Sequence, residues 1–341
     1  EKNIDEEGQV EHHPTQPNDN YYLKEAGAQD NTFWWGKLAE SAGLTGKSVD
    51  QETLESVLSG TLNGETVKGR RENHKAGFDL TFSAPKSASI LALVGGDTRL
   101  IDAHNQAVKF ALSELEKDVA QVKVTHEKGV QEYANTEQLL FAVVQHKTSR
   151  NNDMQLHSHA LTANMTRDQN NALRALGTCL KQKGGVINGT GERIYHFQKY
   201  YGALYQSQFA TLINELGFQT RGVGNGQFEI KGVAKVLMDL FSSRKQQIDQ
   251  KTQEWGHTSR SAKDAAALDT RQDKQYQSEA SLTTQWREAT MEEGFDPDKL
   301  VENALKTPAT HQKTSSVVAK EALNRAVSHI GQTSSALRLE T

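Results

Sequence analysis

The sequence predicts an α+β sandwich with a helical appendage, and three observations carry that expectation. Short segments of alternating apolar and polar residues interleave with helical ones up to about residue 232. Turn signals between neighbouring segments let the strands pair antiparallel as hairpins. Beyond residue 232 the strand signals stop, and the chain becomes polar, charged and helical in pattern.

Taken in order, residues 1–18 read as a flexible acidic arm, with Pro14 and Pro17 and no apolar period. Residues 33–59 read as two helices broken at 43–46. Residues 78–82 alternate and read as a strand, with Phe78, Leu80 and Phe82 on one face and Asp79 and Thr81 on the other. A helix over about 99–118 repeats Ile101, Val108, Leu112 and Leu115 at helical spacing. Val122 and Val124 mark a further strand. Residues 139–146 form an apolar run that suits a buried strand, and residues 156–165 alternate again. A helix over 194–216 follows. Then come two short strands around the glycine-rich stretch 222–226, a hairpin signal. Residues 306–341, rich in Ser, Thr, Ala and Gln, read as a linker towards a possible downstream domain.

Composition narrows the function classes. The chain has 341 residues, enough for one large domain or two smaller ones. No apolar run approaches the roughly 20 residues of a membrane span, and the acidic start does not resemble a signal peptide. The lack of an initiator Met suggests a piece of a longer product. Cys179 is the sole cysteine, so no internal disulfide forms; a reducing compartment and a packing role are expected for it. The net charge of −4 does not advertise a nucleic-acid binder. However, residues 1–30 hold eight acids and two lysines, which leaves the rest of the chain weakly basic. Any affinity for a polyanion must therefore come from local patches.

The histidines carry the chemistry. His157 and His159 stand two apart on a predicted strand, so both imidazoles share one face, roughly 6.5–7 Å apart along the strand. His146 ends the preceding strand. If the two strands pair as a hairpin, three neutral imidazoles converge on one divalent metal and leave coordination positions open for substrate. Asp79 can accept the second N–H of one histidine and fix its tautomer. The other nine histidines carry no such pattern; His104 belongs to a core-facing helix.

Tyr21 and Tyr22 follow the acidic arm. A phenol near pKa 10 is a poor nucleophile unless a base or a metal assists it. Beside a metal site, the pair suggests attack on a phosphodiester. Tyr200, Tyr201 and Tyr205 read instead as packing on an amphipathic helix. Residues 41–48 end like a phosphate-binding loop but lack its first glycine and follow a helix, so they read as a turn. Gly184, Gly185 and Gly189–Gly191 read as a flexible loop.

Several of these segments resemble one family: 19–22 (DNYY), 35–40 with 43–46, 78–89 (FDLTFSAPKSAS), 96–108 (GDTRLIDAHNQAV), 146–159 (HKTSRNNDMQLHSH) and 267–271. In this order they are similar to the nicking domain of conjugative relaxases of the TraI/TrwC (MobF) type, in the HUH endonuclease superfamily. The resemblance implies a five-stranded antiparallel sheet flanked by helices. His146, His157 and His159 match the metal ligands for one Mg²⁺ or Mn²⁺ ion. Asp79 matches the carboxylate beside them, and Arg150 an arginine of the active-site loop. Residues 19–232 then form the catalytic core, and 233–305 a helical clamp over single-stranded DNA. Lys86, Arg244 and Arg271 are the DNA-binding candidates. The implied partners are the single strand and hairpin at an origin of transfer, relaxosome accessory proteins and a coupling protein, in the bacterial cytoplasm. The chain departs from the family in one respect. Tyr21 and Tyr22 align with the second of two expected tyrosine pairs, and residues 12–17 stand where the first is expected.

The leading expectation is site- and strand-specific nicking and religation through a covalent 5′-phosphotyrosine. A different class is a catalytically silent module that binds the hairpin and the adjoining strand. A third, a hydrolase using metal-activated water, keeps the histidines and gives the tyrosines no role.

Overall fold

The computed structural model describes residues 21–24, 31–68, 75–182, 185–271 and 277–307. The acidic arm at 1–18 and nearly all of 306–341 lie outside these.

The chain begins with a single turn, α1 (Tyr21–Lys24), and a strand, β1 (Thr32–Trp35), followed by α2 (Lys37–Ser41) and α3 (Gln51–Leu58). The expectation of helix from residue 33 is corrected here. Three consecutive aromatics favour extended backbone, and alternation buries Trp34 on one sheet face while Phe33 and Trp35 pack on the other. Gly36 ends the strand at φ +100°, with its α-carbon so close to the Leu139 carbonyl that a Cβ would lie 2.4 Å from that oxygen. The buried Glu116 carboxylate accepts from Lys37 N at 2.8 Å and Leu139 N at 2.7 Å, tying the start of α2 to the sheet.

Next come a small hairpin, β2 (Thr61–Leu62) and β3 (Glu65–Thr66), and then β4 (Gly77–Ser83). The sequence reading missed α4 (Lys86–Leu93), which precedes the long helix α5 (Thr98–Val119). β5 (Gln121–Thr125) and β6 (Gln131–Asn135) form their own ribbon. β7 (Phe141–Thr148) and β8 (Met154–Ala163) form the central hairpin. Short pieces follow: β9 (Thr166–Arg167), β10 (Leu173–Arg174), β11 (Leu180–Gln182) and β12 (Gly185–Ile187). The last two replace the expected glycine loop with a hairpin, and Gly191 lies inside the helix α6 (Thr190–Glu215). Then β13 (Thr220–Gly224) and β14 (Gln227–Ile230) turn at Asn225 and Gly226, both at positive φ. Five helices complete the described chain: α7 (Lys235–Leu240), α8 (Ser243–Glu254), α9 (Arg260–Asp269), α10 (Glu279–Glu292) and α11 (Pro297–Lys306). None of the described helices is long and apolar enough to cross a membrane.

The main sheet is antiparallel in the order β1-β7-β8-β4. Among the described residues it has four strands rather than the expected five, and β5 pairs with β6 in a separate ribbon. One face packs Phe82, Phe141, Val143, Leu156 and Ala160 against α4, α5 and α6. The other packs Trp34, Ala142, Val144 and Leu161 against α2 and α3. That second apolar layer stops short of the β7–β8 turn, and three histidines occupy the end it leaves.

Candidate metal centre

Register puts the histidines together. In the β7–β8 ladder His146 faces His157 and Val144 faces His159. Strand alternation then sends all three rings to the same face as Ala142, Val144 and Leu161. Ring centroids lie 5.1–5.3 Å apart in every pairing, and one donor atom from each lies within 4.8 Å of the other two.

Hydrogen bonds set which nitrogen each ring offers. His157 Nδ1 donates to the Gln155 carbonyl at 2.8 Å. His159 Nδ1 donates to both Asp79 carboxylate oxygens, at 2.9 and 3.0 Å. A carbonyl or an ionised carboxylate can only accept, so each ring keeps its proton on Nδ1 and a lone pair on Nε2. His146 is turned the other way. Its Nε2 donates to the Tyr22 carbonyl at 2.9 Å, which leaves the lone pair on Nδ1. Three imidazole lone pairs, each ring oriented by an oxygen acceptor on its other nitrogen, are a donor set suited to a divalent transition metal with open positions.

β4 supplies the carboxylate. Thr81 pairs with His159 and Ser83 with His157, so Asp79, two residues before Thr81, projects from the same face. Phe78, Leu80 and Phe82 pack against the α5–α6 core, as their spacing predicts.

Tyr22 joins the same cluster. Buried Leu23 anchors α1 to the apolar layer beside the histidines. The Tyr22 hydroxyl donates to Asp79 Oδ2 at 3.2 Å, and its ring meets His159 edge-on at 5.2 Å between centroids. The side chain of Tyr21 lies outside the described residues. Tyr201 and Tyr205 are buried and Tyr200 is exposed on α6, the packing arrangement that the sequence suggests.

The basic candidates gather on the other side of the β7–β8 turn. The tip is closed by Ser149 N to the Asp153 carbonyl at 2.8 Å, with Asn152 at φ +62°. It docks onto the C-terminal helices: Ser243 N and Oγ donate to Asp153 at 3.0 and 2.7 Å, and Trp286 Nε1 donates to the Asn152 carbonyl at 2.9 Å. Arg150 lies on this tip. Arg244, on α8, directs its guanidinium at the carboxyl end of α9, donating to the carbonyls of Thr270 (2.8 Å) and Ala267. Burial, and then the charges of Arg150 and Arg271, hold its pKa below the usual arginine range. Lys86 is half-buried, with Nζ donating to the Met154 carbonyl and to Gln155 Oε1 at 3.0 Å. A DNA contact by Lys86 would require it to leave these acceptors.

Sequence reasoning missed the layer beneath the triad. Ser158 points to the opposite face from its histidine neighbours, and its Oγ lies 2.8 Å from His104 Nε2. His104 Nδ1 lies 2.7 Å from the Tyr205 hydroxyl. These contacts join residues 54 and 101 positions apart, and no local pattern announces them. Cys179 is exposed, which corrects the packing role expected of it.

Comparison with known proteins places the chain in one family and one fold. Residues 6–292 match the model of the TrwC relaxase family. The chain is 38% identical over 283 residues to the multifunctional conjugation protein TraI of Escherichia coli K12; the match covers 82% of this chain and 15% of that protein's length. Among solved structures, a metal-bound conjugative relaxase TrwC in complex with OriT DNA superposes with a TM-score of 0.72 at 31% identity, covering 81% of this chain and 94% of the TrwC chain in that structure. TrwC complexed with a 27-mer comprising the recognition hairpin and the cleavage site gives 0.70 at 31% identity, covering 78% and 92%. With a family match over most of its length and this identity to TraI, the chain belongs to the TrwC relaxase family.

Proposed function

We propose that this chain nicks one DNA strand at an origin of transfer and later rejoins it, with a covalent 5′-phosphotyrosine between the two events. The observation that carries the reading is the Tyr22 hydroxyl, 3.2 Å from Asp79 Oδ2 and beside three converging histidines. Tyr22 Oη attacks the scissile phosphorus while its proton passes to the Asp79 carboxylate, which already accepts its hydrogen bond. A new P–Oη bond forms and the P–O3′ bond breaks. The departing 3′ oxygen takes a proton from solvent, and the 5′ end stays on the tyrosine. Religation runs the same steps backwards, with the 3′ hydroxyl as nucleophile.

His146, His157 and His159 would hold one divalent ion, Mg²⁺ or Mn²⁺ by family likeness. Such an ion supplies Lewis-acid neutralisation of charge on the scissile phosphate. Asp79 has two tasks, fixing the His159 tautomer and receiving the phenolic proton. The positive charges of Arg150 and Arg271 act on Arg244, and phosphates of a polyanion would offset that like-charge effect. Helices α8–α10 would then close over the single strand next to the triad. TrwC has been seen with OriT DNA and with a hairpin-bearing 27-mer, and that likeness supports the same class of substrate here. Relaxosome accessory proteins, a coupling protein and a bacterial cytoplasmic setting belong to the same proposal.

A covalent-adduct assay tests it. The chain is incubated with Mn²⁺ and a labelled oligonucleotide carrying its origin sequence, denatured and run on a gel. A shifted band lost in Tyr22→Phe and kept in Tyr21→Phe is the expected result. Loss in Tyr21→Phe alone moves the nucleophile by one residue. No band from wild type, despite tight DNA binding, replaces the enzyme with a binding module. Cleavage without an adduct replaces it with a hydrolase.

A further inference from the structure

Lys86 is the first residue of α4, and its position there is costly. The amino end of a helix carries partial positive charge, which disfavours a cation. The ammonium is also largely withdrawn from water, and burial pulls its pKa down to about 8 against the opposing charges of Asp153 and Glu229. Glu229 accepts from Ser87 N at 3.0 Å and from Ser87 Oγ, so it occupies the helix end itself. A buried charge needs both hydrogen bonds and counter-charge to persist, and this one has both.

What the ammonium holds is the start of β8. The β4–β8 ladder ends at Ser83 and His157, and the β7–β8 register shifts between His146 and Thr148. Met154 and Gln155 lie beyond the last β4 pairing, and Lys86 donates to the Met154 carbonyl and the Gln155 side chain. The Gln155 amide also donates to the Ala84 carbonyl at 3.3 Å. The Gln155 main-chain carbonyl, held between these ties, accepts the proton of His157 Nδ1.

We infer that Lys86 is a positioning residue, which pins Met154 and Gln155 where β8 has run past its last pairing with β4, so that the Gln155 carbonyl fixes the ring and tautomer of His157 for metal binding. The inference rests on the reading of the histidine triad as a metal centre. It gives Lys86 a task distinct from phosphate contact, although the side chain also lines the cleft between the β7–β8 tip and helices α8 and α9.

Two measurements on the 341-residue chain separate these tasks: Mn²⁺ affinity by calorimetry, and the salt dependence of binding to a single-stranded oligonucleotide. In Lys86→Met the Mn²⁺ dissociation constant is expected to rise roughly tenfold, as for loss of a group that orients a ligand, with the salt slope unchanged. In Gln155→Leu a smaller rise is expected. A phosphate contact would instead lower the salt slope by about one and leave Mn²⁺ affinity intact; that result overturns the inference. If Lys86→Met fails to fold, Gln155→Leu decides, and Mn²⁺ affinity equal to wild type in that variant overturns it. Wild type that binds no Mn²⁺ defeats the metal-centre reading beneath it, whereas wild type and Lys86→Met binding Mn²⁺ equally defeats only the role of Lys86.

Discussion

β8 carries two histidine–tyrosine assemblies, one on each face. On one side His157 and His159 stand with Tyr22; on the other, Ser158 reaches His104 and Tyr205. Both sides pair an imidazole with a phenol, and both tyrosines have a hydrogen-bond partner. The difference is access. His104 is fully buried and Tyr205 is 1% exposed. Burial pushes the His104 pKa down to about 3 and that of Tyr205 well up, so neither changes charge near neutrality. Their hydrogen bonds tie α5, α6 and β8 together. Tyr22 is half-buried and donates to a carboxylate rather than to a neutral ring. Residue type is shared between the two faces; a basic partner and a path to substrate are not.

The strongest way to break the comparison is to remove one hydroxyl from each face. Tyr22→Phe is expected to lower adduct formation roughly 10³-fold or more, as loss of a nucleophile does. Tyr205→Phe should still form adduct, while losing about 1–3 kcal/mol of stability from the orphaned His104 partner. Equal loss of adduct in both variants would mean that burial does not separate their roles. Removing one imidazole from each face gives the next largest contrast. His159→Ala should abolish measurable Mn²⁺ binding in calorimetry at unchanged fold. His104→Ala should keep Mn²⁺ binding while its denaturant midpoint falls, because it empties a sealed site and strands two hydroxyls. A smaller effect comes from Asp79→Asn. It keeps an acceptor for His159 but not a competent base for Tyr22, and nicking should slow by about 10²-fold. An unchanged single-turnover rate would assign the Tyr22 proton to another group.

The upper face was the more legible in the sequence, for a physical reason. His157 and His159 are two apart on a strand, Asp79 alternates with three apolar residues, and His146 ends an apolar run. Period-2 geometry alone then sends these groups to one side. The hairpin pairing that joins the three histidines is short-range, so local pattern sufficed for them, whereas Asp79 reaches His159 through the β4–β8 pairing, 80 positions apart. The lower face depends on contacts between α5, α6 and β8, which no periodicity encodes. The Tyr22–Asp79 bond spans 57 positions and was equally invisible. β1 was misread because its four residues run directly into a helical stretch, and a window of helical length swallowed them. Arg244 and Lys86 are DNA-binding candidates through the family resemblance; the carbonyls they donate to become visible only once α9 and β8 are in place.

The finest test of the buried face is the pH dependence of stability. Burial holds the folded-state pKa of His104 at about 3, below the ordinary histidine value of 6.5. Between those values the unfolded chain binds a proton that the folded chain refuses. Stability from this site is therefore complete above about pH 6.5 and declines as pH falls towards 3, by at most about 1.4 kcal/mol per pH unit. His104→Gln has no such proton to bind when it unfolds. Urea midpoints measured from pH 7 down to pH 4 should thus drop less steeply in His104→Gln than in wild type. Parallel slopes would mean that His104 takes up its proton in the native state, and the sealed face of β8 would then be open to solvent after all.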